Sequence, residues 1–272
     1  MNYSLIFLDI DGTVKQEPNM VSDANKEAIL TACLAGKKVT IASGRNKDLV
    51  LQIVRELKLD EFGESYSLAL NGAHIIENRT GKTLRSEPIS SDLIYLLFHK
   101  ADDLKLDCHC YTENYIYFNK KYFIYDWYDK QDCSCALVTM SKPDLALKEM
   151  PLKFFLYSED PTKLEEFRED VSDSIKDILN ADYSTPNCLE FTSVGASKGL
   201  GMTHVCELLN LPLSEAIAIG DGGNDISMIT MAGLGVAMKN APDSVKAIAN
   251  TVTKRTCIED GVAEIIQEYL LS

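Results

Sequence analysis

The feature that most constrains the fold of this chain is a short apolar run, Leu5–Leu8, which leads directly into Asp9 and, two residues later, Asp11. The apolar run predicts a buried strand. Alternate residues of a strand share a side, so both carboxylates can reach one point just past the strand's end, where open parallel sheets bind ligands. Beside the turn Gly12-Thr13, two acids could hold a hard cation or divide nucleophile and acid/base roles. Taken alone, the segment also fits a strand that stops at an Asp-Gly turn.

Strands and helices alternate through the first third of the chain and again near its C-terminus. This order predicts right-handed crossovers and a mostly parallel sheet. The predicted strands of this α/β part are residues 4–9, 38–42, 66–70, 216–219 and 234–237. The predicted helices are residues 22–36, 49–57, 198–210 and 224–231, with further helices from Pro242 and Asp260.

The pattern changes between these two parts. It predicts a hairpin at 73–85, a helix at 91–104, tyrosine-rich strands, a strand at 152–157 and an acidic helix at 161–178. We therefore expect a doubly wound α/β core, residues 1–82 and 187–272, with an α+β unit inserted at 83–186.

Composition limits the classes of partner. The net charge of −14 argues against binding to nucleic acid or to anionic membranes, which need basic surfaces. It is compatible with a phosphorylated substrate if a metal ion and a few local cations reverse the field in one cleft. No apolar stretch reaches the ~18 residues of a membrane span, and the N-terminus does not fit a secretory signal. We expect a cytoplasmic protein.

Eight cysteines are present, and four of them form two closely spaced pairs, Cys108 with Cys110 and Cys133 with Cys135. Such pairs resemble the spacing of zinc ligands. Sulfurs at i and i+2 of a strand lie about 6–7 Å apart, too far for easy shared ligation. Reduced, buried thiols are the favoured interpretation. The histidines are dispersed without ligand spacing, which predicts structural or exposed positions for His74, His99, His109 and His204.

Three further segments place polar groups at the ends of strands or the starts of helices. Ser43-Gly44-Arg45 offers a hydroxyl and backbone N–H groups ahead of a helix, which suits a phosphate oxygen. Lys198 puts a cation at a helix start, where the helix dipole disfavours it unless an anion is near. Gly220–Asp225 adds acids and an asparagine directly after a strand. Each segment alone fits a simple turn or surface position, but their combination favours a functional site.

Together with Asp9–Thr13, these segments resemble the four motifs of the haloacid dehalogenase (HAD) superfamily, in particular its Cof-like branch of sugar-phosphate phosphatases. Asn71-Gly72-Ala73 and Asp260-Gly261-Val262-Ala263 also match the branch. The inserted block falls where that branch carries its α/β cap domain. The resemblance implies a phosphoric monoester hydrolase whose cap reads the leaving group.

The resemblance also implies roles for individual residues. Asp9 would attack phosphorus, and Asp11 would serve as general acid and base. Mg²⁺ would bind the Asp9 carboxylate, the Asp11 backbone carbonyl and the Asp221 carboxylate. Asp225 would orient Lys198 or the waters on the metal. The residues expected to hold the phosphate oxygens are Ser43, Gly44, Lys198 and Asn224; Arg45 would either touch the phosphate or cap the chain locally.

The expected partner is a small phosphorylated metabolite, with no nucleic-acid or membrane partner, and the expected state is a monomer or weak homo-oligomer. Two other functions stay open: a phosphosugar mutase, and a non-catalytic binding protein on the same scaffold. The Asp9 and Asp11 carboxylates argue against the second, and release of inorganic phosphate would argue against the first.

Overall fold

The computed structural model describes residues 3–15, 20–119, 135–139 and 147–272. The chain divides into two compact units. The first contains residues 1–45, 50–85 and 197–272, and the second contains residues 46–49 and 86–196. None of the described helices has both the length and the apolar character needed to cross a bilayer.

The secondary structure follows the predicted order closely. The strands are β1 (Leu5–Leu8), β2 (Lys38–Ile41), β3 (Tyr66–Ala69), β4 (His74–Glu77), β5 (Lys82–Ser86), β6 (Asp107–Tyr111), β7 (Tyr115–Phe118), β8 (Ala136–Thr139), β9 (Lys153–Tyr157), β10 (Leu179–Thr185), β11 (Cys188–Ser193), β12 (Ala216–Gly220), β13 (Leu234–Ala237) and β14 (Thr251–Val252). The described α-helices are α1 (Asp23–Leu34), α2 (Lys47–Glu56), α3 (Ser91–Asp103), α4 (Pro161–Ile175), α5 (Lys198–Leu209), α6 (Ile226–Met231), α7 (Asp243–Lys246) and α8 (Gly261–Ile265).

A five-stranded sheet forms the centre of the first unit, in the order β14-β13-β12-β1-β2. Every neighbouring pair in it is parallel. Strand β1 lies between β2 and β12, with Leu5 opposite both Lys38 and Ala216. The chain winds outward from β1 in both directions, and the carboxyl ends beside β1 are where such a sheet binds ligands.

Both faces of β1 are buried, which explains its continuous apolar sequence. Ile6 and Leu8 belong to the apolar cluster that includes side chains of α1 and α8. Leu5 and Phe7 belong to the cluster on the other face, which includes side chains of α5. Burial of each such side chain contributes roughly 1.5–3 kcal/mol, and this anchors the strand whose end carries Asp9. The predicted doubly wound α/β core is confirmed.

The predicted third strand and hairpin are present but form a separate small sheet. An isolated parallel bridge between Ala42 and Leu68 joins β3 to the end of β2. It pairs antiparallel with β4, and β5 completes the three-stranded sheet. The last residues of β3 therefore still lie beside the end of β2.

The second unit is a six-stranded sheet in the order β10-β11-β9-β6-β7-β8. Apart from the parallel pair β7–β8, its neighbouring strands are antiparallel. Helices α3 and α4 cover one face with an apolar core that contains Cys108 and Cys110. Burial raises the pKa of the Cys110 thiol, so this pair is part of the core packing. Cys133 lies outside the described residues.

The C-terminal boundary of this unit differs from the expected one. Strand β11 pairs with both β9 and β10, so the second unit extends to Ala196 and the core resumes at Ser197. The expected boundary between the two units lies at 186/187. No strand was predicted here, although both segments alternate apolar and polar residues, as in Leu179-Asn180-Ala181-Asp182-Tyr183 and Leu189-Glu190-Phe191-Thr192.

Candidate active site

The polar residues of the four motif segments converge at the carboxyl edge of the first unit's sheet. Asp9 follows β1, Ser43 follows β2 and Asp221 follows β12. Lys198 begins α5, whose N-cap is Ser197. The chain thus brings four distant segments to one edge because each ends or begins a regular element there.

A buried ion-paired triad lies at the centre of this edge. The Lys198 Nζ lies 2.6 Å from the Asp9 Oδ1 and 2.5 Å from the Asp225 Oδ1. Lys198 and Asp225 are fully buried, and Asp9 is 6% exposed. Burial lowers the pKa of Lys198, but the charges of Asp225 and Asp9 outweigh it and leave that pKa raised. The lysine is therefore a fixed cation between two carboxylates.

Asp225 is held on its other oxygen by the backbone. Its Oδ2 accepts hydrogen bonds from the N–H groups of Asp221, at 2.9 Å, and Gly222, at 2.8 Å. A Cβ on Gly220 would stand 2.3 Å from the Asp225 Cγ. Only glycine at this position therefore leaves room for the Asp225 side chain against the backbone of the loop. Asp225 thereby shapes the loop that presents Asp221.

The acids at this edge are electrostatically crowded. Burial, followed by the charge of Asp225, raises the pKa of Asp9 well above its usual range despite Lys198. The same two causes raise the pKa of Asp221 to about 6. One lysine supplies too little positive charge for several partly buried carboxylates to ionise easily.

The donor set fits a hard cation. Asp9, Asp221 and Asp225 each offer one carboxylate oxygen, and these oxygens lie within 4.8 Å of one another. Both oxygens of Asp225 already accept hydrogen bonds, which leaves Asp9 and Asp221 as the better ligands. An all-oxygen set of this kind suits Mg²⁺.

Two residues outside the predicted set orient Asp221. The Thr13 hydroxyl donates to the Asp221 Oδ1 at 3.1 Å. The Asn240 amide donates to the Gly12 carbonyl at 2.8 Å and lies 3.5 Å from the Asp221 Oδ2. Gly12 has a φ of +79°, and a Cβ there would stand 2.2 Å from the Asp221 Oδ2. The loop after Asp11 therefore packs directly against this carboxylate.

The loop Ser43-Gly44-Arg45 is fixed by a left-handed turn. Leu70, Asn71 and Gly72 all have positive φ, a conformation that costs energy in the first two. The Ser43 carbonyl accepts from the Asn71 N–H, and the Arg45 carbonyl accepts from the Leu70 N–H, both at 2.9 Å. The turn thus holds the backbone beside Ser43, whose side chain is buried.

Asn71 also reaches a second loop. Its Oδ1 accepts a hydrogen bond from the Asn224 Nδ2 at 3.0 Å. A Cβ on Gly44 would stand 2.9 Å from the same oxygen. Asn71 therefore lies between the Gly44 backbone and the Asn224 amide, two of the groups expected to hold phosphate.

Arg45 contacts the second acid of the opening pair. Its Nε lies 2.8 Å from the Asp11 Oδ2, and its Nη2 lies 2.6 Å from the Asp11 Oδ1. The Arg45 side chain is mostly buried, whereas that of Asp11 is 48% exposed. The two opening acids thus have different environments, since Asp9 pairs with Lys198 in the interior.

The structure brings all the predicted site residues to one edge of the first unit. Sequence reasoning gave no role to Thr13, Asn71 and Asn240. Asn71 follows β3 and Asn240 lies three residues after β13, so the rule that found Asp9 and Asp221, polar residues just past strand ends, would also have found them. The contact of Thr13 with Asp221 has no comparable sequence signal.

Comparisons with known proteins agree with this geometry. Residues 6–266 match the family model described as haloacid dehalogenase-like hydrolase. A phosphatase of Bacillus subtilis named for 5-amino-6-(5-phospho-D-ribitylamino)uracil is 28% identical over 274 residues, which cover 100% of this chain and 97% of that protein.

Solved structures give the same result. A haloacid dehalogenase-like hydrolase from Bacteroides thetaiotaomicron superposes with a TM-score of 0.84 at 29% identity, over 98% of this chain and 99% of the other. A haloacid dehalogenase-like hydrolase from B. subtilis superposes with a TM-score of 0.85 at 25% identity, over 97% and 99%.

The chain belongs to the haloacid dehalogenase-like hydrolase family. The expected family, the expected fold and the expected class of enzyme, a HAD-type phosphatase, are confirmed.

Proposed function

We propose that this protein is a Mg²⁺-dependent phosphatase that hydrolyses small phosphate monoesters, with phosphorylated sugars as the leading class, through a covalent intermediate on Asp9. The observation that carries the proposal is the Asp9 carboxylate, buried at the end of β1, paired with Lys198 and close to Asp221. A buried carboxylate beside a fixed cation is a nucleophile placed where a phosphate dianion can be neutralised.

The residues that would hold the ion are the carboxylates of Asp9 and Asp221, together with the Asp11 backbone carbonyl that the family resemblance adds. When bound, Mg²⁺ supplies positive charge between the nucleophile and the phosphate oxygens, which would otherwise repel one another. Thr13 orients one of these carboxylates, as groups behind a metal ligand commonly do.

The Asp9 carboxylate attacks phosphorus in line, so a bond from its oxygen to phosphorus forms as the ester bond breaks. The electron pair of that bond goes to the leaving oxygen, and Asp11 gives it a proton. Water then attacks the aspartyl phosphate, Asp11 takes the proton, and Asp9 and inorganic phosphate are released. Overall, one phosphate ester and one water molecule give one alcohol and one inorganic phosphate.

The remaining groups bind the three non-bridging oxygens. Lys198 contributes the charge, and its two carboxylate contacts fix the position of Nζ. Ser43, the Gly44 N–H and Asn224 contribute neutral donors. Preorganised donors of this kind stabilise charge in the transition state without reorganising.

The substrate class rests on two arguments. The B. subtilis relative is named for a compound with a phosphate on a ribityl chain, a small polyol phosphate. The net charge of −14 disfavours polyanionic macromolecules and leaves a small phosphorylated metabolite as the fitting partner. We further propose that the inserted unit selects among leaving groups.

The experiment is a panel of phosphate esters, with p-nitrophenyl phosphate, hexose and pentose phosphates and glycerol phosphate, assayed with Mg²⁺ and with EDTA. We expect phosphate release that needs the metal and is abolished in Asp9→Asn, while Asp23→Asn, on the exposed start of α1, retains it. Turnover of no ester would remove the proposal. Interconversion of hexose phosphates without phosphate release would identify a mutase instead.

A further inference from the structure

Asp11, the second acid of the opening pair, forms a bidentate salt bridge with Arg45. The Arg45 Nε and Nη2 meet the two different oxygens of Asp11, at 2.8 Å and 2.6 Å. Such a fork fixes the plane of the carboxylate as well as its position. A lysine could satisfy only one of these contacts.

The arginine is the fixed partner of this pair. Its side chain is 8% exposed, against 48% for Asp11. Its backbone is held at both ends, because the Arg45 N–H donates to the Ser43 Oγ at 3.1 Å and the Arg45 carbonyl accepts from Leu70 at 2.9 Å. Asp11 instead precedes Gly12, whose φ is +79°. An exposed carboxylate next to a glycine would otherwise sample several rotamers.

We propose that Arg45 is a positioning residue for the general acid and base: it holds the Asp11 carboxyl group where it can give a proton to the leaving oxygen. The inference rests on the proposed function. A carboxylate has about four lone-pair directions, and the fork uses one on each oxygen, so each oxygen keeps a direction for proton transfer. The alternative, direct binding of phosphate by Arg45, would not require its contacts with both Asp11 oxygens.

The proposal predicts a loss that depends on the leaving group. An alkoxide must be protonated as it departs, whereas p-nitrophenolate departs without a proton. The parameter to compare is kcat/KM, which reports the steps up to the first irreversible bond cleavage and so excludes the later hydrolysis of the aspartyl phosphate. General acid catalysis typically contributes about 10²–10⁴-fold, so misplacing the acid should cost a large part of that factor.

The test compares Arg45→Met and Arg45→Lys with the wild-type enzyme on glycerol phosphate, or the best sugar phosphate, and on p-nitrophenyl phosphate. We expect Arg45→Met to lower kcat/KM for the alkyl ester about 100-fold more than for the aryl ester, with Arg45→Lys between. The inhibition constant of inorganic phosphate should not change. In an Asp11→Asn background, Arg45→Met should have no further effect, since the two residues act as one unit. Arg55→Met, on the exposed side of α2, is the control.

Three results would overturn the inference. An equal loss for both esters with weaker phosphate inhibition would make Arg45 a phosphate ligand. An equal loss accompanied by a lower melting temperature would make it structural, and a gain with the alkyl ester would mean that Arg45 restrains Asp11. Failure of the wild-type enzyme to hydrolyse any ester would instead refute the proposed function.

Discussion

The Asn224 side-chain amide donates a hydrogen bond to the Asn71 Oδ1 across 3.0 Å, joining two loops that are 153 residues apart in the chain. One partner lies in the glycine-rich segment after β12, and the other lies in the left-handed turn after β3. The contact makes the position of a predicted phosphate donor depend on a residue outside the four motif segments.

Substitution of Asn71 should therefore impair catalysis more than folding. Asn71→Ala removes the acceptor that orients Asn224, and we expect kcat/KM to fall about 10–100-fold, corresponding to about 1.4–2.7 kcal/mol of transition-state stabilisation. Steady-state kinetics checks this, with Asn210→Gly at the far end of α5 as the control. Unchanged kinetics in Asn71→Ala would show that Asn224 needs no such support.

Removal of Lys198 should destabilise the protein as well as inactivate it. In Lys198→Met the buried carboxylates of Asp9 and Asp225 lose their cation, and breaking a buried pair typically costs about 3–5 kcal/mol. Urea unfolding without metal should show a larger loss of unfolding free energy at about pH 8 than at about pH 5. Because the pKa of Asp9 is raised, protonation at the lower pH removes one of the two charges that Lys198 would otherwise neutralise.

Lys254→Met is the matched control for this measurement. Lys254 pairs with Glu268 at 3.0 Å, and its side chain is 76% exposed, so its loss should change the free energy of unfolding little at either pH. Equal losses for the two lysines would contradict the view that Lys198 compensates buried charge.

Mg²⁺ should stabilise the protein more at neutral than at acidic pH. The pKa of Asp221 is raised to about 6 by burial and by Asp225. Between about pH 4 and this value the folded protein without metal therefore keeps a proton that the unfolded chain has released, and its stability falls as the pH rises through the window. The ion binds the deprotonated site, so it restores stability above that range.

Melting curves with and without MgCl₂ at about pH 5 and about pH 7.5 test this expectation. The shift should be larger at the higher pH and absent in Asp221→Asn, which should itself melt higher than the wild-type protein when metal is removed. A metal-dependent shift that survives in Asp221→Asn would place the ion elsewhere.

His109 should make the protein sensitive to acid. Its side chain is 3% exposed and lies among the rings of Tyr111, Phe118 and Phe155, with centroids 5.7–6.4 Å away. Burial lowers its pKa to about 3. Below the ordinary value near 6.5, the unfolded chain binds a proton that the native state does not, so stability is lost as pH falls, by up to about 1.4 kcal/mol per pH unit.

The measurement is the free energy of unfolding between about pH 6.5 and about pH 4.5. His109→Phe suits the aromatic surroundings and should flatten this dependence, whereas His99→Gln, at an exposed position of α3, should leave it unchanged. The same slope in His109→Phe and wild type would show that His109 can be protonated without unfolding.

Most of the architecture of the α/β core could be predicted from the sequence. The order of strands and helices, and the acids just past the ends of β1 and β12, followed from periodicity and from the geometry of parallel sheets. The reason is physical: an apolar sequence on both faces identifies β1 as a buried strand, and the alternation of strands and helices predicts that it runs parallel to its neighbours, which places Asp9 at the carboxyl edge.

Other features needed the structure. The alternation in β11 is a strand signal, but only the pairing of β11 with β9 and β10 assigns it to the second unit. The partner of Arg45 could not be chosen from sequence, since a flexible guanidinium near a phosphate site and one near Asp11 give the same pattern. Three-dimensional contacts such as that of Asn71 with Asn224 have no periodic signal at all.

The central claim is that Asp9 forms a bond to phosphorus. The most direct measurement is rapid acid quenching during turnover of the best ester, reduction with borohydride, and mass spectrometry of the peptide that contains residue 9. Hydride converts an aspartyl phosphate to homoserine and releases phosphate, whereas an unmodified aspartate is not reduced. We expect homoserine at position 9 in the enzyme quenched with ester and aspartate there in the enzyme quenched without it. Aspartate alone at position 9, in enzyme trapped while it releases phosphate, would contradict the proposal.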